Sequence, residues 1–126
     1  DWGEFEGVPD QLIKGALLCS GMYDLEPVGL SYRREYVNFT SESVEAYSPI
    51  RHIENLNCPL IVAYGTFESP EFQRQAIEFS DAIESAGKPI TLLEGDNYNH
   101  FEIIETLANP YGLLGRAVLR EMRLFP

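Results

Sequence analysis

The sequence predicts an α/β fold, in which parallel strands form a sheet covered by helices. Short apolar runs alternate with amphipathic helical patterns, and the 126 residues are 44% hydrophobic, enough for one core. The predicted order is strand, insertion, strand, helix, strand, helix, which is typical of βαβ units. A complete sheet of this kind usually has more strands, so we expect the chain to form half of one.

Three apolar runs are the predicted strands. "LIKGALLCSG", residues 12–21, is nearly continuous in apolar residues, as in a strand covered on both faces. "CPLIVAYG", residues 58–65, contains β-branched residues and ends in glycine. "PITLLEG", residues 89–95, is a shorter third strand.

Amphipathic helices are predicted after the second and the third strand. The first has Ser69 as N-cap, Pro70 at its first position and Gly87 at its end. Its apolar face is predicted to contain Phe72, Ala76, Phe79, Ile83 and Ala86. The last helix is predicted to start with Asn109 as cap and Pro110 at its first position. Its predicted apolar face contains Leu114, Val118 and Met122.

Residues 22–57, between the first two strands, are predicted to form a cap-like insertion, and residues 1–126 together are predicted to form only the C-terminal part of a larger domain. The segment is aromatic-rich and has little periodicity, and only residues 40–47 are predicted to form a short helix. Insertions of this kind often line substrate pockets, although packing is the commoner role of their tyrosines.

The charge of the chain excludes several classes of partner. Nine Lys and Arg against twenty Asp and Glu give a net charge of −11, which repels phosphate backbones and anionic lipid. No apolar stretch approaches the ~20 residues that span a bilayer, and the acidic start does not resemble a signal peptide. We therefore expect a soluble, cytoplasmic protein that binds neither nucleic acid nor membranes. Cys19 and Cys58 are predicted to be reduced and to hold no metal.

Two polar residues follow predicted strands at the edge where catalytic groups of such sheets lie. Glu68 stands three positions after the last glycine of the second strand, and His100 lies in the predicted loop after the third. Either residue alone is more often structural, because acids are common at helix starts and loop histidines are usually solvated. Together they can act as the orienting acid and the base of a catalytic triad.

Other charged residues are weaker candidates. Asp24, after the first strand, is the second choice for the acid, although a role in capping a turn is favoured. His52 has no carboxylate placed near it at a strand end, so it is interpreted as structural. Glu71 and Arg74 are predicted to form a local ion pair on the helix.

No residue of the chain fits the position of a nucleophile. A nucleophile elbow requires small residues two positions before and after the serine, because strand and helix approach closely there. Ser20 has Leu18 and Met22 in those places, and Ser31 is followed by Arg33 and has no strand before it. Neither cysteine fits better. We therefore expect the nucleophile and the oxyanion hole to lie outside this chain.

Three motifs indicate a family. "SGMYDLEP", "SPEFQRQ" and "NHFEIIETLANP" together resemble the C-terminal half of the kynurenine formamidase (arylformamidase) and esterase group of the α/β-hydrolase superfamily. The resemblance extends from about Asp1 to Met122 and implies Glu68 as the acid, where many relatives have Asp, and His100 as the base. It also implies that the N-terminal half, with its oxyanion loop and G-x-S-x-G serine, is absent, and that Asp1 falls just after the helix that follows the nucleophile.

The function implied by the resemblance is hydrolysis of an amide or ester through an acyl-serine. N-formylkynurenine and aryl esters or amides are the implied substrates, and no metal or organic cofactor is implied. The expected partner is a companion chain or fragment that bears the G-x-S-x-G nucleophile, and the assembled enzyme could also form homo-oligomers. The alternative is a non-catalytic, truncated hydrolase fold that serves as an interaction module. The presence of both Glu68 and His100 within the motifs favours the enzyme.

Overall fold

The computed structural model describes residues 5–9 and 11–124. Asp1, which the resemblance implies to fall just after the helix that follows the nucleophile, lies outside these residues. The three strands of the described part are β1 (Ala16–Cys19), β2 (Leu60–Gly65) and β3 (Ile90–Gly95). Its α-helices are α1 (Leu25–Gly29), α2 (Ser41–Tyr47), α3 (Pro70–Ser85), α4 (His100–Glu105) and α5 (Leu113–Glu121). Short 3₁₀ helices span Tyr32–Glu35, Pro49–Asn55 and Thr106–Ala108.

The strands form one parallel sheet in the order β1-β2-β3, which confirms the predicted α/β class. In the register of the sheet, Leu18 pairs with Val62 and Val62 pairs with Leu92. The central strand β2 is buried along its whole length. Within residues 5–9 and 11–124, β1 pairs only with β2, so its other edge carries no strand.

Helices cover both faces of the sheet. The core on the α3 side contains Tyr23, Leu60, Val62, Tyr64, Ala76, Phe79 and Ile83. The core on the side of α4 and α5 contains Ala63, Ile103 and Leu114. This three-layer arrangement leaves the carboxyl ends of β2 and β3 free to carry the loops of the site. Within residues 5–9 and 11–124, none of the helices has the length and apolar character of a transmembrane span.

The first strand is shorter than its apolar run predicts. Leu12 and Ile13 were expected within it but are 46% and 43% exposed, and they precede the residues that pair with β2. Pairing between the two strands begins at Ala16 and Leu60, so the residues before Ala16 have no counterpart in β2, and apolar character alone overestimates the strand. The starts of β2 and β3 agree with the prediction within two residues.

Helix α3 begins at Pro70 with Ser69 as N-cap, as predicted. Phe79 is fully buried, as expected for the apolar face. Ala86 was predicted on the same face, but it is the exposed C-cap residue beyond the last helical turn. Gly87 follows with a φ of +72°, a left-handed conformation that glycine adopts without steric cost.

Helix α5 starts later than predicted, at Leu113, with Gly112 as N-cap. The side chain of Asn109, the predicted cap, accepts a hydrogen bond from the Tyr111 backbone N–H at 2.9 Å. Asn109 therefore caps a turn that precedes the helix. Met122 was predicted on the apolar face, but it lies just past the end of α5 and is 60% exposed.

The insertion of residues 22–57 packs against α3. The Tyr23 ring stacks on Phe79 with centroids 4.2 Å apart and an interplanar angle of 5°. The predicted short helix is present as α2, where the Thr40 side chain and Ser43 form a capping box. The insertion is therefore tied to α3 through an aromatic contact at its first residues.

Candidate active site

The loop after β2 places the Glu68 carboxylate beneath the surface. The side chain of Glu68 is completely buried, and its Oε2 accepts a hydrogen bond of 3.0 Å from the Gly65 backbone N–H. The Gln73 side-chain amide donates to the backbone carbonyls of Thr66, at 3.1 Å, and of Glu68, at 2.8 Å. The start of α3 thus fixes the loop that carries the acid.

His100 is the first residue of α4 and not a loop residue, which corrects the prediction. The Asn99 side chain accepts hydrogen bonds from the backbone N–H groups of Phe101 and Glu102. The Glu102 carboxylate accepts in turn from the Asn99 backbone N–H at 3.0 Å. This capping box sets the backbone of the histidine, and its sequence signal, an Asn followed by Glu three positions later, was available to sequence reasoning.

Backbone hydrogen bonds join the loop of the acid to the loop of the histidine. Thr66 N–H donates to the Gly95 carbonyl at 2.9 Å, and Phe67 N–H donates to the Tyr98 carbonyl at 3.0 Å. Asn97, in a left-handed conformation with φ of +63°, donates its N–H to the Thr66 hydroxyl at 2.8 Å. The two loops therefore extend the contact between β2 and β3 beyond the sheet.

The structure brings the two predicted site residues together. Nδ1 of His100 lies 2.5 Å from Oε1 of Glu68. A carboxylate only accepts hydrogen bonds, so Nδ1 carries the hydrogen and Nε2 of the neutral ring is left as an acceptor. The histidine side chain is 42% exposed, and no hydrogen bond to Nε2 exists within residues 5–9 and 11–124. The imidazole is therefore oriented by the buried Glu68 carboxylate and accessible to solvent.

Two aromatic rings hold the imidazole. The Phe72 ring lies with its centroid 4.6 Å from that of His100, and the Phe101 ring meets it edge-on at 5.4 Å. The contact with Phe72 was not predicted, since its position indicated only the apolar face of α3. Its place in the first helical turn, four residues after Glu68, is the signal that could have indicated it.

A cavity of about 190 Å³ lies beside the imidazole. Its lining residues are Cys19, Ser20, His100, Phe101 and Ile104. Ser20 has a φ of +52°, and its hydroxyl lies 3.5 Å from the Cys19 sulfur. Burial is the main factor that raises the pKa of the Cys19 thiol, and the Ser20 hydrogen bond opposes it. Among the described residues, neither side chain hydrogen-bonds to His100.

The weaker candidates for catalytic residues are not hydrogen-bonded to the Glu68–His100 pair and have other partners. Asp24 is the N-cap of α1 and accepts from the Glu26 N–H at 3.1 Å, which agrees with its favoured role in a turn. His52 donates through Nε2 to the Glu45 carbonyl at 2.7 Å, in keeping with a structural role. The Glu71–Arg74 ion pair is confirmed, at 2.6 Å. No group of three His, Cys, Asp or Glu in the described part is placed to hold a metal.

Comparison with solved structures shows which proteins share the fold of this chain. A proposed thioesterase from Silicibacter sp. TM1040 superposes with a TM-score of 0.72 and 25% identity, over 88% of this chain and 40% of that one. Esterase 2 of Thermogutta terrifontis, in its tabun-phosphoramylated form, superposes with a TM-score of 0.62 and 25% identity, over 89% of this chain and 42% of that one. The chain carries part of an α/β-hydrolase fold. No protein-family model matches the sequence.

Sequence comparison shows which α/β-hydrolases this chain resembles in sequence. The kynurenine formamidase of Danio rerio is 36% identical over 125 residues, which cover 95% of this chain and 42% of that protein. The resemblance to kynurenine formamidases and esterases is thereby confirmed. The chain spans less than half the length of this relative, which fits the expected correspondence to a C-terminal half.

Proposed function

We propose that Glu68 and His100 are the acid and the base of a serine hydrolase that cleaves amide or ester bonds. The proposal depends on one observation: the fully buried Glu68 carboxylate accepts a hydrogen bond from Nδ1 of the exposed His100 ring. The distance from Nδ1 to Oε1 is 2.5 Å. This geometry is that of the acid and base in a nucleophilic triad. The similarity to kynurenine formamidase and to esterases supports the same reaction class.

In the proposed reaction, Nε2 of His100 takes the proton of a serine hydroxyl while that oxygen attacks the carbonyl carbon. The buried Glu68 carboxylate stabilises the imidazolium that forms. The imidazolium then gives the proton to the leaving amine or alcohol as its bond to the acyl carbon breaks. A water molecule, deprotonated by the same nitrogen, hydrolyses the acyl-serine and restores the enzyme.

The nucleophile in this proposal belongs to a companion chain or segment with a G-x-S-x-G motif, which also provides the oxyanion hole. Ser20 lines the cavity beside His100, yet Leu18 and Met22 are too large for an elbow around it. The edge of β1 without a strand partner in the described part supports a companion next to β1.

The proposed substrates are small molecules with an amide or ester bond. N-formylkynurenine is the first choice, because the similar Danio rerio protein is a kynurenine formamidase. Aryl esters are the second choice, because the structural neighbours include an esterase. Both require the same acyl transfer to serine, so the role of His100 is the same for either.

The proposal is tested by labelling the native preparation, with whatever companion copurifies, with a fluorophosphonate that reacts with activated serines. We expect the label on a G-x-S-x-G serine, and its loss in a His100→Ala variant. The control is His52→Ala, which removes the other histidine of the chain and should leave labelling intact.

Mapping the labelled peptide separates the outcomes. Label on Ser20 would contradict the proposal that the nucleophile lies on a companion chain. Full labelling of a Ser20→Ala variant would support that proposal. Labelling that is unchanged in His100→Ala, or absent from every polypeptide of the preparation, would contradict the proposed catalytic role and favour the non-catalytic module.

A further inference from the structure

A groove of about 160 Å³ lies between the insertion and the start of α3. Its apolar walls are Met22, Pro27, Val28 and Phe72. Its volume is close to that of a ~150 Å³ cavity, engineered in another protein, that accepts benzene. The groove therefore has room for one six-membered ring or a short alkyl chain.

The groove adjoins the catalytic pair. Phe72 lines it, and the same ring lies 4.6 Å from the imidazole of His100. Ser69, another lining residue, directly follows Glu68. A molecule with its reacting carbonyl at His100 can thus extend a side arm past Phe72 into the groove.

Most polar groups of the groove already have partners within the chain. The Ser31 hydroxyl donates to the Val28 carbonyl at 2.6 Å. The Glu71 carboxylate accepts from Arg74 at 2.6 Å and from Gln75 at 2.8 Å. These bonds, that of Arg74 above all, lower the pKa of Glu71, so its charge is present and paired.

Arg33 differs from these groups. Its side chain is half-buried at the groove, and it makes no ion pair or side-chain hydrogen bond within residues 5–9 and 11–124. The Ser69 hydroxyl makes no capping hydrogen bond either. In a chain of net charge −11, an unpaired cation at an apolar groove creates a local site for an anion.

We propose that this groove binds a side arm of the substrate and that Arg33 binds a carboxylate on that arm. The inference rests on the proposed hydrolase function and adds to it a residue that determines specificity. Guanidinium and carboxylate form paired, charge-assisted hydrogen bonds, which are stronger than bonds between neutral groups. Substrates that carry a carboxylate should therefore be bound better than their neutral analogues.

The kinetic test uses the active assembly and two pairs of esters, each pair being a carboxylate and the neutral methyl ester of that carboxylate. In 3-acetoxybenzoate and its methyl ester the carboxylate belongs to the leaving group. In mono-(4-nitrophenyl) adipate and its methyl ester it belongs to the acyl group. We expect Arg33→Gln to raise KM for the anionic member of at least one pair by about tenfold or more, with kcat and the neutral member unchanged.

The matched control is Arg34→Gln, which removes an exposed neighbouring charge that does not line the groove. Equal effects of Arg33→Gln on the charged and neutral members of both pairs would overturn the inference. So would an equal response of KM to the Arg34→Gln substitution.

A binding measurement separates this inference from the proposed function. The same preparation is titrated by calorimetry with 3-phenylpropionate and with 3-phenylpropanamide. We expect the carboxylate to bind more tightly and Arg33→Gln to remove the difference. If the preference depends on Arg33 but no ester is hydrolysed, the proposed function fails and the site stands. If esters are hydrolysed but no preference exists, the inference fails and the function stands.

Discussion

Nδ1 of His100 and Oε1 of Glu68 lie 2.5 Å apart although 32 positions separate the residues in the chain. They meet because β2 and β3 are adjacent and parallel, so the loops at their carboxyl ends share one edge of the sheet. Gly65 and Gly95 end the two strands at the same level of the register. The pair is thus a direct consequence of the sheet topology.

Glu68→Gln should lower kcat of the active assembly by about 10³-fold to 10⁴-fold, as loss of the orienting carboxylate does in a serine protease. The amide can still accept from the Gly65 N–H, but its NH₂ group faces Nδ1 and favours the tautomer with a hydrogen on Nε2. That tautomer cannot act as the base. Steady-state kinetics with an aryl ester measure the effect.

The control for this substitution is Glu78→Gln, which neutralises an exposed carboxylate on α3 that pairs with Arg74. It should leave kcat unchanged. A Glu68→Gln variant with full activity, or a loss of the same size in Glu78→Gln, would argue against the orienting role of Glu68.

Gly65→Ala should destabilise the protein by about 1–3 kcal/mol. A Cβ atom at Gly65 would lie 2.1 Å from the backbone oxygen of Tyr98, so the loop before His100 would have to move. Urea unfolding of the preparation measures the loss. The control is Gly15→Ala, whose Cβ would meet the flexible Glu121 side chain at 3.2 Å. Equal stability of Gly65→Ala and the wild type would contradict the close approach.

Gln75→Leu should be more destabilising than removal of surface charges on the same helix. The buried Gln75 Oε1 accepts from the backbone N–H groups of Tyr23, at 2.7 Å, and Asp24, at 2.9 Å. Leucine leaves both donors unpaired, at a cost of about 1–3 kcal/mol each. Arg74→Ala breaks only exposed ion pairs, with an expected cost of about 1 kcal/mol or less. Unfolding midpoints that rank these variants in the opposite order would refute this account.

Cys19 should be alkylated with a pH midpoint above that of an unfolded cysteine. Burial raises the pKa of its thiol, and the thiolate is the form that reacts. A Cys58→Ser variant isolates the signal, and iodoacetamide rates are measured across pH with and without urea. The native midpoint should lie higher than the midpoint in urea. A native midpoint at or below the unfolded one would mean that the thiol is not desolvated.

Much of the fold was predictable because its signals are local. Apolar runs indicated all three strands, and a serine, a proline and a glycine in the right places marked both ends of α3. Thr40 caps α2, the short helix that was predicted, whereas Asp24 caps the helix α1, where the sequence indicated only a turn. Helix α4 was missed although the capping signal of Asn99 and Glu102 was present.

The errors concern features that depend on distant neighbours. Leu12 and Met122 are as apolar as core residues, yet both are exposed because no other described element covers them. Asn109 has the chemistry of a helix cap, but its side chain bonds to the Tyr111 N–H and caps a turn. Residue type alone does not distinguish these outcomes, since tertiary packing decides them.

By itself, the sequence determined the alternation of strands and helices and the order of Glu68 before His100, because both follow from residue types at short spacing. Only the tertiary structure decided that the carboxylate is buried beneath the imidazole, that Phe72 packs against the ring and that Arg33 lies at an apolar groove. Each of these contacts joins segments that are remote in the chain, so its geometry exists only after the sheet has brought them together.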